Sequence, residues 1–194
     1  MKFKRKILIA KENFEVYSKG YELYKQLDKI GIINDKKYDL FSNFKLTRRF
    51  FRIEITNLYK LYDDQLLAVA KKGLFRSLYD DGNFQKVFAI PRGSKPLNLC
   101  ILPNDHIFWG EYFQNIERNK VNIYGSVDNG VTWQVVYTFP EGNINHVHGL
   151  FYDKYTQRVW VLTGDRENEC IIGYTSDEFQ TFHEVLRGGQ EYRS

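Results

Sequence analysis

Residues 122–140 constrain the fold of this chain more than any other stretch. Ile123 and Tyr124 lead into a polar tip at Ser126, Asp128, Asn129 and Gly130, and a second β-prone run over 131–139 leads out again. That order predicts a β-hairpin with an Asp-Asn-Gly turn. Gly130 supplies positive φ without a Cβ clash, Asp128 accepts hydrogen bonds from the N–H groups of its own turn, and Ser126 closes the loop from the other side. Trp133 then enters the outgoing strand as a bulky anchor.

The hairpin recurs at a fixed interval. Thr175, Asp177, Thr181 and Phe182 stand 49 positions after Ser126, Asp128, Thr132 and Trp133. Ser77 and Phe84 stand 49 positions before Ser126 and Trp133, with the Asp80-Asp81-Gly82 turn between them one residue out of step. A hairpin in every copy at this pitch implies about four short strands per repeat, the pattern of a propeller blade rather than a helical solenoid. The predicted fold is all-β: four-stranded antiparallel blades over 1–40, 41–91, 92–140 and 141–188, with 189–194 opening the next strand. Residues 21–30 are also compatible with a short helix, and strands are expected from residue 50 onward. About four blades in a row would leave an apolar flank and sheet edges uncovered. The expectation is therefore a single incomplete propeller, completed by the rest of a longer ring, by self-association, or by closure into a small ring.

The residues Ser126-Val127-Asp128-Asn129-Gly130-Val131-Thr132-Trp133 resemble the Asp-box, or bacterial neuraminidase repeat, at every defining position. The resemblance is to β-propellers of the sialidase-like superfamily, where the box occupies the turn between the third and fourth strands of a blade. It implies a structural role for Ser77, Asp80, Gly82, Phe84, Ser126, Asp128, Gly130, Thr132, Trp133, Asp177 and Phe182, and a parent that binds or hydrolyses glycans. The alternative is a non-catalytic propeller that binds another protein. Phe51-Arg52-Ile53-Glu54 is similar to the Phe-Arg-Ile-Pro entry of sialidases, whose arginine clamps a substrate carboxylate, so Arg52 inherits that possibility. Glu54 stands in place of the proline, and residues 70–73 pass from one strand to the next with no loop to carry an acid/base Asp. Sialidase activity is not expected of this chain.

Four further positions carry chemistry on paper. Trp109-Gly110-Glu111 and Thr163-Gly164-Asp165 end corresponding second strands, so Glu111 and Asp165 are expected near one rim, as an acid/base pair, a cation site or simple turn caps. His146 and His148 alternate along an inner strand and share a face, as a metal half-site lacking an evident third ligand, as sugar-binding groups, or as hydrogen-bonded channel histidines. No metal and no cofactor are assigned, since no Gly-rich phosphate loop, nucleophile elbow or HExxH motif is present.

The 194 residues are 43% hydrophobic and 16% aromatic, enough to fill a core. Residues 1–50 hold 13 Lys+Arg against 6 Asp+Glu. These charges are scattered rather than clustered, so solvated faces are expected and a nucleic-acid partner is not. Lys11 and Glu12 interrupt the first apolar run too early for a signal peptide or a membrane span. Cys100 and Cys170 lack metal-ligand spacing and are expected as reduced core thiols in a cytoplasmic protein.

Overall fold

The computed structural model describes residues 6–11, 14–35, 38, 41, 45–51, 53–77 and 82–192. Strands dominate them, and the chain divides into two compact units, residues 1–90 and 91–194. Among the described residues no helix is long and apolar enough to cross a membrane.

The first unit holds two antiparallel meanders. One comprises β1 (Lys6–Lys11), β2 (Phe14–Lys19), β3 (Glu22–Lys25) and β4 (Asp28–Ile33); the other comprises β5 (Asn57–Lys60), β6 (Leu66–Ala70), β7 (Gly73–Ser77) and β8 (Asn83–Ala89). Their last strands pair with each other in parallel, Ile32 opposite Asn83 and Ile33 opposite Phe84, which fuses both meanders into one eight-stranded sheet. The seam is made by close backbone approach. A Cβ on Gly82, whose φ is +74°, would lie 2.7 Å from the Ile30 carbonyl oxygen, and one on Gly31 would lie 2.8 Å from the Phe84 ring. Only glycine tolerates both demands. Lys86 adds an ion pair to the buried Asp35 at 2.7 Å.

The second unit holds two four-stranded antiparallel sheets: β9 (Cys100–Ile101), β10 (Ile107–Gly110), β11 (Val121–Ser126) and β12 (Gln134–Phe139), then β13 (Val147–Asp153), β14 (Arg158–Thr163), β15 (Cys170–Thr175) and β16 (His183–Gly188). Burial drops at the outer strand of each sheet. Every residue of β10 is buried, whereas β16 has none buried and β12 only Phe139. The inner strand β10 is a continuous buried run because both its faces are covered, β14 alternates buried and half-buried residues, and the outer strands carry polar residues because one face meets water. Phe108, Ile123, Phe139, Val147, Val161, Ile171 and Phe179 share one core between the two sheets. Cys100 and Cys170 are buried free thiols.

Two expectations are corrected and one open alternative is decided. Residues 45–51 form a short helix, α1 (Lys45–Phe51), and the strand expected from residue 50 begins only at Asn57. The run Lys45-Leu46-Thr47-Arg48-Arg49 has no period-two alternation, and the aromatic pair after it ends the helix rather than opening a strand. Residues 21–30 form no helix: they fall in β3 and β4, joined by a tight turn in which Gln26 adopts φ 54°. Residues 190–192 form a 3-10 turn rather than a strand, with the Tyr192 N–H donating to the Gly189 carbonyl.

Candidate functional site

Antiparallel pairing sorts the loops of the second unit to two ends. Connections 111–120, 140–146 and 164–169 share one end; turns 127–133 and 176–182 share the other.

The two turns at the far end are built alike. Ser126 Oγ donates to Asp128 at 2.8 Å, the Thr132 N–H and hydroxyl donate to the same carboxylate at 2.8 and 2.6 Å, and Ser126 Oγ accepts the Gly130 N–H at 2.9 Å. Thr175, Asp177, Thr181 and the Phe179 N–H repeat each bond at 2.8, 2.9, 2.6 and 2.9 Å. Trp133 donates its indole N–H to the Gly130 carbonyl at 3.2 Å. Bonds from the Thr181 side chain and N–H hold the Asp177 carboxyl at about 2. Burial pushes the Asp128 carboxyl up, but bonds from Thr132 and Ser126 outweigh it, and the group ends below 3.8. These acids stitch turns. Where the first copy has Gly130 at φ +83°, the second has Phe179 at φ 74°. Its ring is buried against Phe108, centroids 5.3 Å apart, which offsets the left-handed backbone.

The copy in the first unit departs from this plan. Ser77 turns to the neighbouring strand, accepting the Leu66 N–H at 2.8 Å and donating to Gln65 at 2.9 Å. Gly82 and Phe84 form the seam between meanders, and Asp80 lies outside the described residues, as does Arg52. Ala70 and Gly73 end and open consecutive strands with only two residues between them.

At the near end, Glu111 is a knot between the two sheets. Its N–H donates to the Asn122 carbonyl at 3.0 Å, while its carbonyl accepts the Val147 N–H of the second sheet at 3.0 Å. That leaves the Asn122 N–H without its usual ladder partner, and the Glu111 carboxylate accepts it at 2.8 Å. Arg92 grips both carboxylate oxygens through Nε, at 2.9 Å, and Nη2. Glu111 is 0% exposed. The carboxylate that sequence paired with Asp165 is therefore enclosed, and Asp165 keeps other company.

Asp165 meets the two histidines. His146 Nε2 lies 3.0 Å from His148 Nε2 and 3.1 Å from Asp165 Oδ2, and His148 Nε2 lies 3.2 Å from Asp165 Oδ1. Alternation on β13 puts both imidazoles on one side, and the pairing of Val147 with Thr163 brings residue 165 alongside residue 146. His146 Nδ1 is 3.0 Å from the Phe113 carbonyl oxygen, which can only accept, so Nδ1 carries the proton and the Nε2 lone pair faces the cluster. Burial depresses the His146 pKa below 6.5, against upward pulls from the Phe113 carbonyl and Asp165. Tyr112 leans on both imidazoles, at 4.3 Å from the His146 ring and 6.1 Å from that of His148. Asn145 donates to Asp165 at 3.0 Å and accepts the Asn115 N–H at 3.1 Å. His146 and His148 side chains are 6% and 10% exposed and that of Asp165 28%, so the cluster opens on the aspartate side. His146, His148 and Asp165 each offer one ligand atom to a common point. Arg92, Tyr112, Phe113 and Asn145, which shape this end, carried no signal in the sequence beyond their places in the loops.

No protein-family model matches the sequence, and no curated protein does. Solved structures do match in fold. YCF48 bound to D1 peptide is similar at TM-score 0.53 and 12% identity, over 90% of this chain and 51% of that one. YCF48 from Cyanidioschyzon merolae is similar at 0.55 and 8%, over 92% and 57%. An ancestral GH74 enzyme is similar at 0.58 and 12%, over 93% of this chain and 23% of its own. The blades are those of a β-propeller. The chain spans about half the length of the YCF48 structures and less than a quarter of the GH74 enzyme.

Proposed function

We propose that this chain is part of a sialidase-like Asp-box propeller that binds a glycan, without hydrolysing it, at the end bearing His146, His148 and Asp165. The observation that carries this reading is the convergence of imidazole, carboxylate, amide and phenol groups from three loops of the second unit at one partly open point. Planar polar groups of this kind match the paired hydroxyls of a sugar, and an aromatic flank matches its C–H face. Hydrolysis would call for two reachable carboxyl groups across the scissile bond. Glu111 is sealed under Arg92, so it does not reach a glycosidic oxygen. The paired acid-stitched turns support the Asp-box assignment.

The test is a glycan array run with the wild-type chain and Asp165→Asn, beside a panel of chromogenic glycosides. Binding that is lost in Asp165→Asn, without turnover, is the expected result. No binding to any glycan, or turnover that survives purification and disappears in Glu111→Gln, would reject it. A second reading, docking of a polypeptide, is favoured by β16, an outer strand with Val185 and Leu186 exposed at 49% and 42%. An added strand there would protect the amides of residues 183–188 from hydrogen exchange.

A further inference from the structure

We propose that His146, His148 and Asp165 bind one divalent transition-metal ion, with zinc as the simplest occupant. Metal binding stands independently of the glycan reading.

The geometry is that of a tripod base. The two imidazole nitrogens lie 3.0 Å apart, and each meets a different oxygen of Asp165, His146 Nε2 at 3.1 Å from Oδ2 and His148 Nε2 at 3.2 Å from Oδ1. Ligands 2.0–2.1 Å from a tetrahedral zinc are separated by about 3.3 Å. The contacts among the three residues, 3.0 to 3.2 Å, are close to that spacing, so an ion at a normal bond length fits between both nitrogens and a carboxylate oxygen. Small rotations of the side chains suffice.

The orientation of the donors is set before any ion arrives. Phe113 holds the proton of His146 on Nδ1, so Nε2 presents its lone pair to the cluster. A ligating histidine whose other nitrogen donates to a backbone carbonyl is the arrangement that fixes ring and tautomer in metal sites. The carboxylate is steadied in the same way by the Asn145 amide, itself anchored on the Asn115 N–H. Tyr112 packs on both rings and restricts their tilt. The site thus has three donors and a supporting layer from loops 111–120 and 140–146.

The donor set narrows the ion. Two imidazoles suit zinc, copper, nickel, cobalt or iron and do not suit calcium or magnesium, which take oxygen ligands. Three protein donors with one side open leave a coordination position for water or for ligand oxygens. On the glycan reading, that position would receive two vicinal hydroxyls or a sugar carboxylate, a point that rests on that reading.

Protons are the competing occupants. A proton on His148 Nε2 would bridge to His146 Nε2 or to Asp165 Oδ1, and the contact between His146 Nε2 and Asp165 Oδ2 would need another of its own. The experiment separates the two. The full chain, stripped with a chelator and dialysed, is titrated with Zn(II) by calorimetry and with Co(II) by visible absorption. One equivalent per chain, a tetrahedral Co(II) spectrum and a zinc-dependent rise in melting temperature are expected. His148→Gln and Asp165→Asn should each weaken binding by more than about 100-fold. His183→Gln, on the outer strand β16, should leave it unchanged. Each variant is checked for a native circular dichroism spectrum, and two near-isosteric changes are used so that either alone decides. Absence of a stoichiometric site, or equal zinc affinity in a folded His148→Gln or Asp165→Asn, would show that protons alone hold the cluster. Zinc binding without glycan binding would leave the metal site standing and remove the glycan.

Discussion

Replacing Arg92 by methionine should destabilise the protein far more than an ordinary surface substitution. Arg92 is 32% exposed, but its partner Glu111 is 0% exposed, and two guanidinium N–H groups meet the carboxylate there. Without Arg92, the carboxylate keeps the Asn122 N–H at 2.8 Å and a distant Tyr124 hydroxyl at 3.5 Å. Breaking one side of a buried pair costs roughly 3–5 kcal/mol, and partial access of water through the Arg92 side places this case near 3 kcal/mol. For a chain of this size that is a fall in melting temperature of roughly 6–12 °C. The double variant Arg92→Met with Glu111→Met should recover part of the loss, because no charge is left behind although the Asn122 N–H loses its acceptor. Urea unfolding of wild type, both single variants and the double variant gives the coupling energy, with the slope checked for constancy. A coupling of at least about 2 kcal/mol is expected. An Arg92→Met cost below about 1 kcal/mol, or simple additivity, would refute the assignment of Arg92 and Glu111 as a buried, coupled pair.

Gly110→Ala should cost about 3 kcal/mol, since its Cβ would lie 2.4 Å from the Val147 Cβ and force the two sheets apart; calorimetry would show the loss, and an unchanged melting temperature would contradict the packing. Phe179→Gly relieves a left-handed backbone worth roughly 1–2 kcal/mol but empties a buried ring site worth roughly 3–5 kcal/mol, so urea unfolding should report a net loss of about 2–3 kcal/mol. Asp177 titrates at about 2 when folded, so as pH falls below its ordinary 3.8 the unfolded chain takes up the proton first. Its stabilising contribution is full above about pH 4 and is lost between about 4 and about 2; Asp177→Asn should flatten that segment of the urea midpoint against pH.

The blades were legible because their signals are local. An Asp-Asn-Gly turn needs only a few adjacent residues, and constant spacing brings Trp133 and Phe182 to equivalent places. The functional end was less legible because it depends on register between strands distant in sequence. Glu111 and Asp165 both follow glycine, which suggested like positions. Gly164 adopts φ +84° whereas Gly110 takes no positive φ, so the chain turns aside after Thr163 and continues past Gly110 toward Asn122. The third partner of His146 and His148 was thus present in the sequence but assigned to the wrong neighbour. Helix α1 was missed because Phe50 and Phe51 carry β-prone side chains at the end of a segment with no period-two alternation.

The parallel seam between β4 and β8 has a bearing on how such a chain can change by gain or loss of segments. Excising residues 57–89 would strip Ile32 and Ile33 of their neighbours at Asn83 and Phe84 and leave a raw border along β4. Deleting the earlier meander would do the same to β8. The two halves of the first unit are therefore expected to be inherited, duplicated or discarded as one module of eight strands rather than blade by blade.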